Sequence, residues 1–172
     1  MFTLTTCFRY PDSPSQKLLD EIWPMNCNSL FLRNNFEEAR MQINVFFQTT
    51  APDNIIIFSE RKDIDKPVIE VNATDGKKTL SSNFNLKKLK RGLEVYQIPY
   101  EVNQVPIEGL TNDVYFYALR RDFETYSPTS IVNISLPSLK NFQNFEKFAH
   151  FMTDYINSES RMLASMFYKS WL

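Results

Sequence analysis

Glycine is nearly missing: Gly76, Gly92 and Gly109 are the only three in 172 residues. Phosphate cradles of the P-loop or dinucleotide-binding kind need several glycines in a short span, so both are excluded. Histidine is reduced to His150. A two-histidine phosphoesterase or a histidine-paired metal site is therefore excluded, and a Ser-His-Asp arrangement would have to use that one residue. Its place between Ala149 and Phe151 in a helical pattern reads as a helix-surface or interfacial side chain. Cys7 and Cys27 are too few for a disulfide framework and form no CxxC pair, which predicts two reduced, partly buried thiols in a cytosolic protein. No apolar run approaches the roughly 18 residues of a membrane span. The N-terminus alternates like a strand and lacks the charged start and apolar block of a signal peptide. Net charge is only −1, so the molecule as a whole is not drawn to nucleic acid or to a membrane.

Large rings fill the chain instead. Aromatic residues make up 15% of it, mostly phenylalanine, within a hydrophobic fraction of 43% and a charged fraction of 23%. Those fractions are globular, and the length suits one domain over 1–172 with a real core. Phe, Tyr, Met, Ile, Asn and Lys are common while Ala, Arg, Gly and Pro are scarce. That codon bias points to an AT-rich source: a virus, a phage, a low-GC bacterium or a yeast-like eukaryote.

Alternation predicts a strand over 2–9, and Pro11–Pro14 breaks it. Asp12 or Ser13 caps a short helix over 14–23, which buries Leu18, Leu19, Ile22 and Trp23 before Pro24 ends it. Further strands are expected at 29–33, 40–48 and 55–59, the last two joined at 51–54 into a hairpin. A second hairpin, 67–73 with 78–86, turns at Thr74–Gly76. Strands at 93–98, 113–119 and 130–136 follow. Ser138 then caps a long amphipathic helix over 138–171, or two nearly collinear ones, with Phe142, Phe145, Ala149, Met152, Ile156, Leu163 and Met166 on one stripe. The expected fold class is α+β: a mainly antiparallel, twisted sheet of six to eight strands, strand-rich over 1–136, with the long helix covering one face.

Four constellations bear on function. Asp53, Glu60 and Lys62 echo the carboxylate pair and lysine of magnesium-dependent nucleases, but a tight turn and a strand end would hold them apart. Asp63 and Asp65 form a short acidic spacing of a kind common in loops. Lys77, Lys78, Lys87, Lys88, Lys90 and Arg91 make a basic segment without an acid, suited to a polyanion or to nuclear import. Met162, Met166, Phe167, Tyr168 and Trp171 extend the helical stripe beyond what a sheet face needs and suit an interface.

With no catalytic motif legible, the chain reads as a non-enzymatic interaction protein: an assembly factor, an inhibitor or immunity-type binder, or a small viral or phage accessory protein. Its partner would be another protein or a second copy, met by that C-terminal helix. A nucleic-acid-associated regulator using residues 77–91 and a nuclease-like hydrolase are the alternatives. No cofactor, metal or membrane is expected, and the location is the cytoplasm, or the nucleus for a eukaryotic source or its virus.

Overall fold

The computed structural model describes the backbone of residues 2–22, 27–125 and 129–169, and their side chains except at 122–125 and 159–169. Strands and helices alternate: β1 (Thr3–Phe8), α1 (Pro14–Glu21), β2 (Cys27–Leu32), α2 (Phe36–Thr49), β3 (Asn54–Arg61), β4 (Val68–Glu70), β5 (Asn72–Thr74), β6 (Thr79–Ser81), α3 (Leu86–Val95), β7 (Glu101–Asn103), α4 (Leu110–Thr125), β8 (Ser130–Pro137) and α5 (Phe145–Lys169).

Six strands form one sheet in the order β2-β1-β3-β8-β4-β7, and β5 pairs with β6 alone. β2, β1, β3 and β8 run parallel. β4 joins β8 antiparallel, and β7 lies parallel to β4. The mainly antiparallel sheet expected from sequence is thereby corrected: the sheet is mostly parallel and the class is α/β, with helical crossovers between strands.

Three segments read as strands are helical. Residues 40–48 lie inside α2, 113–119 inside α4, and the start of 93–98 closes α3. In α2 the alternation of Met41, Ile43, Val45 and Phe47 is incidental, because Met41 and Val45 are exposed while Ala39 and Ile43 are buried at helical spacing. The decisive local signal is the N-cap: Asn35 Oδ1 accepts from the backbone N–H of Glu37 and Glu38, and both acids sit in the first turn. Asn85 caps α3 in the same way, leaving Leu89 and Leu93 on its buried side. α1 follows its expected signals, with Ser13 Oγ accepting from Gln16 N–H and Pro14 in the first turn. The long helix starts at Phe145, after turns over 138–144.

Helices cover both faces of the sheet. Ile56 and Phe58 of β3 point into a core shared with α1, α3 and α5, while Ile55 and Ile57 meet Tyr115 and Leu119 of α4. A strand buried on both faces must be apolar along its length, and β3 begins with an unbroken run from Ile55 to Phe58. α5 brings Phe148 edge-on to Phe58, ring centroids 6.5 Å apart. Each fully buried side chain of this size contributes about 1.5–3 kcal/mol.

α3 and α5 approach closely at Gly92, where an added Cβ would lie 2.6 Å from Phe151 Cε2. Phe151 has no easy retreat, with Tyr96, Tyr155 and Phe148 around its ring. Gly92→Ala should therefore destabilise the chain by roughly 1–3 kcal/mol, despite the better helix propensity of alanine. Urea denaturation measures this, and Phe151→Leu in the Gly92→Ala background should recover part of the loss.

Candidate functional site

In an open parallel sheet, ligands bind beyond the carboxyl ends of the strands. Here a cleft lies at that edge, between the ends of β1 and β3 and the first turns of α1 and α4. It has two adjoining halves that share Ser59, Glu60, Glu108 and Thr111. One half, about 570 Å³, adds Phe8, Tyr10, Ser13, Ser15 and Lys62. The other, about 460 Å³, adds Arg61, Asn103 and the 105–107 loop.

Beneath the second half lies Glu70, at the end of β4 and fully buried. A carboxylate without water is tolerated only when donors meet it. Ser135 Oγ donates to Glu70 Oε1 at 2.7 Å, Arg61 Nη1 to the same oxygen at 3.2 Å, and Asn103 Nδ2 to Oε2 at 2.7 Å. The network continues laterally: Ser59 Oγ lies 3.1 Å from Ser135 Oγ and donates to Asn133 Oδ1 at 3.2 Å. Asn133 Nδ2 is buried without a partner. Arg61 is held from its other side by Asp63, through Nε at 3.2 Å and Nη2 at 2.6 Å. The Asp63 hydrogen bond is the largest influence raising the Arg61 guanidinium above its ordinary value, while Arg61 holds the Asp63 carboxyl below the usual range. Tyr115 OH, from α4, donates to the Glu70 carbonyl at 3.1 Å. Removing Arg61 would leave the buried Glu70 carboxylate short of its charged donor, so Glu70 supports the site from beneath while Arg61 both supports and lines it.

Sequence reasoning passed over Glu70, Asn103 and Ser135. The available signal was a lone carboxylate in a short apolar strand, since a charged residue in such a run is seldom buried without a partner. The nuclease-like set is not assembled: Asp53 precedes β3 and accepts from Phe2 N–H, while Glu60 lies near the other end of the strand. Asp63 serves Arg61, and among the described residues no group of three or more candidate ligands could hold a metal. The basic segment is divided between the two faces of the sheet. Lys77 and Lys78 sit on the β5–β6 turn, against α4, while Lys87, Lys88, Lys90 and Arg91 ride on α3, against α5. Met162, Met166, Phe167 and Tyr168 fall on α5 with side chains outside the described residues, and Trp171 lies outside them altogether. Among the described residues no helix is long and apolar enough to cross a membrane.

No cysteine or histidine lines the cleft. His150 is largely exposed on α5, 3.5 Å from Asp154. Cys7 is buried in the core, where burial, reinforced by Asp20, pushes its thiol up to about 12; burial raises Cys27 as well.

The fold is an open α/β sheet with a polar cleft at its carboxyl edge, the place where ligands bind in sheets of this kind. No family model matches the sequence, and no curated protein is similar to it at a significant level. Solved structures are similar in fold. Pyroglutamyl peptidase I of Bacillus amyloliquefaciens superposes with a TM-score of 0.79 at 11% identity, over 90% of this chain and 94% of that one. Pyrrolidone carboxyl peptidase of Thermus thermophilus gives 0.77 at 16%, over 91% and 99%. The E192I mutant of the Pyrococcus furiosus pyrrolidone carboxyl peptidase gives 0.76 at 16%, over 93% and 99%. At these identities the likeness carries the fold. The expectation of a non-enzymatic viral or accessory binder is overturned by these comparisons: the three proteins named are peptidases, and none is a viral or accessory protein.

Burial of Cys7 has a pH consequence. Its folded value lies above the ordinary 9.0, so its contribution is fully present below pH 9 and is lost as pH rises toward 12. Tyr115, also raised by burial, acts in the same direction. Urea midpoints should stay level near neutrality and fall above pH 9, less steeply in Cys7→Ala, and iodoacetamide should leave Cys7 of the folded chain unmodified at neutral pH.

Proposed function

We propose that this chain hydrolyses a peptide or amide bond, taking a small amide or the end of a peptide into the cleft at the carboxyl edge of the sheet. The observation that carries the reading is the fold-wide likeness to pyrrolidone carboxyl peptidases over nearly the full length of both chains. The chemistry on offer in the cleft is that of hydroxyls and carboxylates. Thr111, in the first turn of α4, combines a hydroxyl with a helix N-terminus, whose free N–H groups favour a developing oxyanion. Glu60 and Glu108 line both halves, Asp12 lines one, and these carboxylates are the bases on offer within the cleft. Attack by the Thr111 hydroxyl, its proton passing to one of these carboxylates, forms an ester with the acyl group and breaks the C–N bond; the amine leaves with that proton, and water then hydrolyses the ester to the acid and the free hydroxyl.

Release of aminomethylcoumarin from its pyroglutamyl amide, with the alanyl amide alongside, tests the reading. Turnover above the buffer rate is expected, unaffected by iodoacetamide and reduced about 10²-fold or more in Thr111→Val. No turnover on either amide overturns it.

Assembly is a second reading, favoured by the apolar stripe of α5. Phe148, Met152 and Ile156 are buried against the sheet, and the pattern runs on through Met162, Met166, Phe167 and Tyr168 to Trp171. These residues suit contact with a second copy in the cytoplasm, where the two free thiols are at home. Light scattering should show a dimer for the intact chain and a monomer for one ending at Ser160.

A further inference from the structure

Hydrogen-bond capacity together with access to the cleft singles out one residue of the Glu70 network, since Asn133 Nδ2 also lacks a partner but is fully buried and does not line the cleft. Asn103 spends both amide hydrogens, on Glu70 Oε2 and on the Val105 carbonyl, and its own oxygen accepts from Val105 N–H. The Ser135 hydrogen goes to Glu70. Ser59 has one hydrogen, and its acceptors, Asn133 Oδ1 and Ser135 Oγ, both belong to the network. Arg61 has five N–H groups and uses three: Nε and one on Nη2 to Asp63, and one on Nη1 to Glu70. Two N–H groups are left, one on each terminal nitrogen, on a guanidinium that lines the cleft and keeps 27% of its side-chain surface open.

We infer that Arg61 is the specificity-determining donor of this cleft and takes the carbonyl oxygen of a neutral amide or lactam. Carboxylates on two sides fix the guanidinium, so its free hydrogens are aimed before a ligand arrives. The same carboxylates decide the charge of that ligand. Asp63 and Glu70 together exceed the single charge of Arg61, and Glu60 and Glu108 line the same half of the cleft. A second anion would meet net repulsion, whereas a neutral carbonyl needs only donors. Asp63 is a positioning residue: it never meets the ligand, and it holds Nε and Nη2 in place.

The inference uses the hydrolase reading only to choose the probe, 2-pyrrolidinone. Its binding to the full chain is followed by NMR titration, with acetate as the anionic comparison. Resonances of Arg61, Ser59 and Asn103 should shift on titration, and acetate should not compete. Arg61→Lys, which presents a point charge in place of the fork, should weaken binding about tenfold or more. Asp63→Asn, altering an exposed residue in a chain that stays folded, should weaken it severalfold by loosening the fork. Thermal melts of both variants separate lost binding from lost fold. Undiminished binding in a folded Arg61→Lys, tighter binding of acetate, or no binding of 2-pyrrolidinone overturns the inference. Amide turnover that Arg61→Lys leaves intact also overturns it and keeps the hydrolase reading. Arg61-dependent binding without turnover keeps the inference and removes the hydrolase reading.

Discussion

A carboxylate sealed from water sets the terms for this molecule. Glu70 has no exposed surface, so its two oxygens must find donors inside the protein. Those donors come from three other places in the chain: Arg61 at the end of β3, Asn103 at the end of β7 and Ser135 on β8. The register of the antiparallel β4–β8 pair, with Val68 opposite Ser135 and Glu70 opposite Asn133, brings the acid level with these partners. One charge thereby ties together the antiparallel β4–β8 joint of the sheet, its outer strand β7 and the wall of the cleft.

Packing elsewhere provides the rigidity that such a network needs. β3 and β8 lie at the centre of the sheet, and their apolar residues divide between α4 on one face and α1, α3 and α5 on the other. Tyr115 reaches from α4 to the Glu70 carbonyl, so the helix that carries Thr111 in its first turn is also tied to the backbone of β4 beside the carboxylate. A side chain in the first turn of a helix is only as well placed as the helix, so this second contact helps to fix the wall of the cleft.

Local sequence signals exposed some of this and hid the rest. The capping of α1 by Ser13, the turn before β6 and the amphipathic stripe of α5 were legible because each rests on neighbours in sequence. α2 was misread as a strand because Met41, Ile43, Val45 and Phe47 fall at alternate positions, and α4 because Val114 to Tyr117 form an unbroken β-branched and aromatic run. The caps and the acids of a first turn carried the better information, as Asn35, Glu37 and Glu38 show. Misreading two crossover helices turned a parallel sheet into an antiparallel one. The site was less legible still. Glu70 and Ser135 meet from 65 residues apart and carry no motif, and only the physics of a lone acid in a buried strand marks them.

The central pairing of β3 with β8 has a consequence for how the chain folds. Ser59 and Ser135 face each other across 76 residues, so the middle of the sheet is among the most distant contacts in the sequence. Loop closure over that distance comes late, and topologies dominated by such contacts fold slowly. On the ribosome, β1, β2 and β3 emerge long before residues 130–137 arrive to cover the free edge of β3. Until then Ile55 to Ile57 form an apolar strand with an open edge, a surface that chaperones bind. The same closing strand carries Ser135, so the carboxylate site is assembled in the step that retires this hazard.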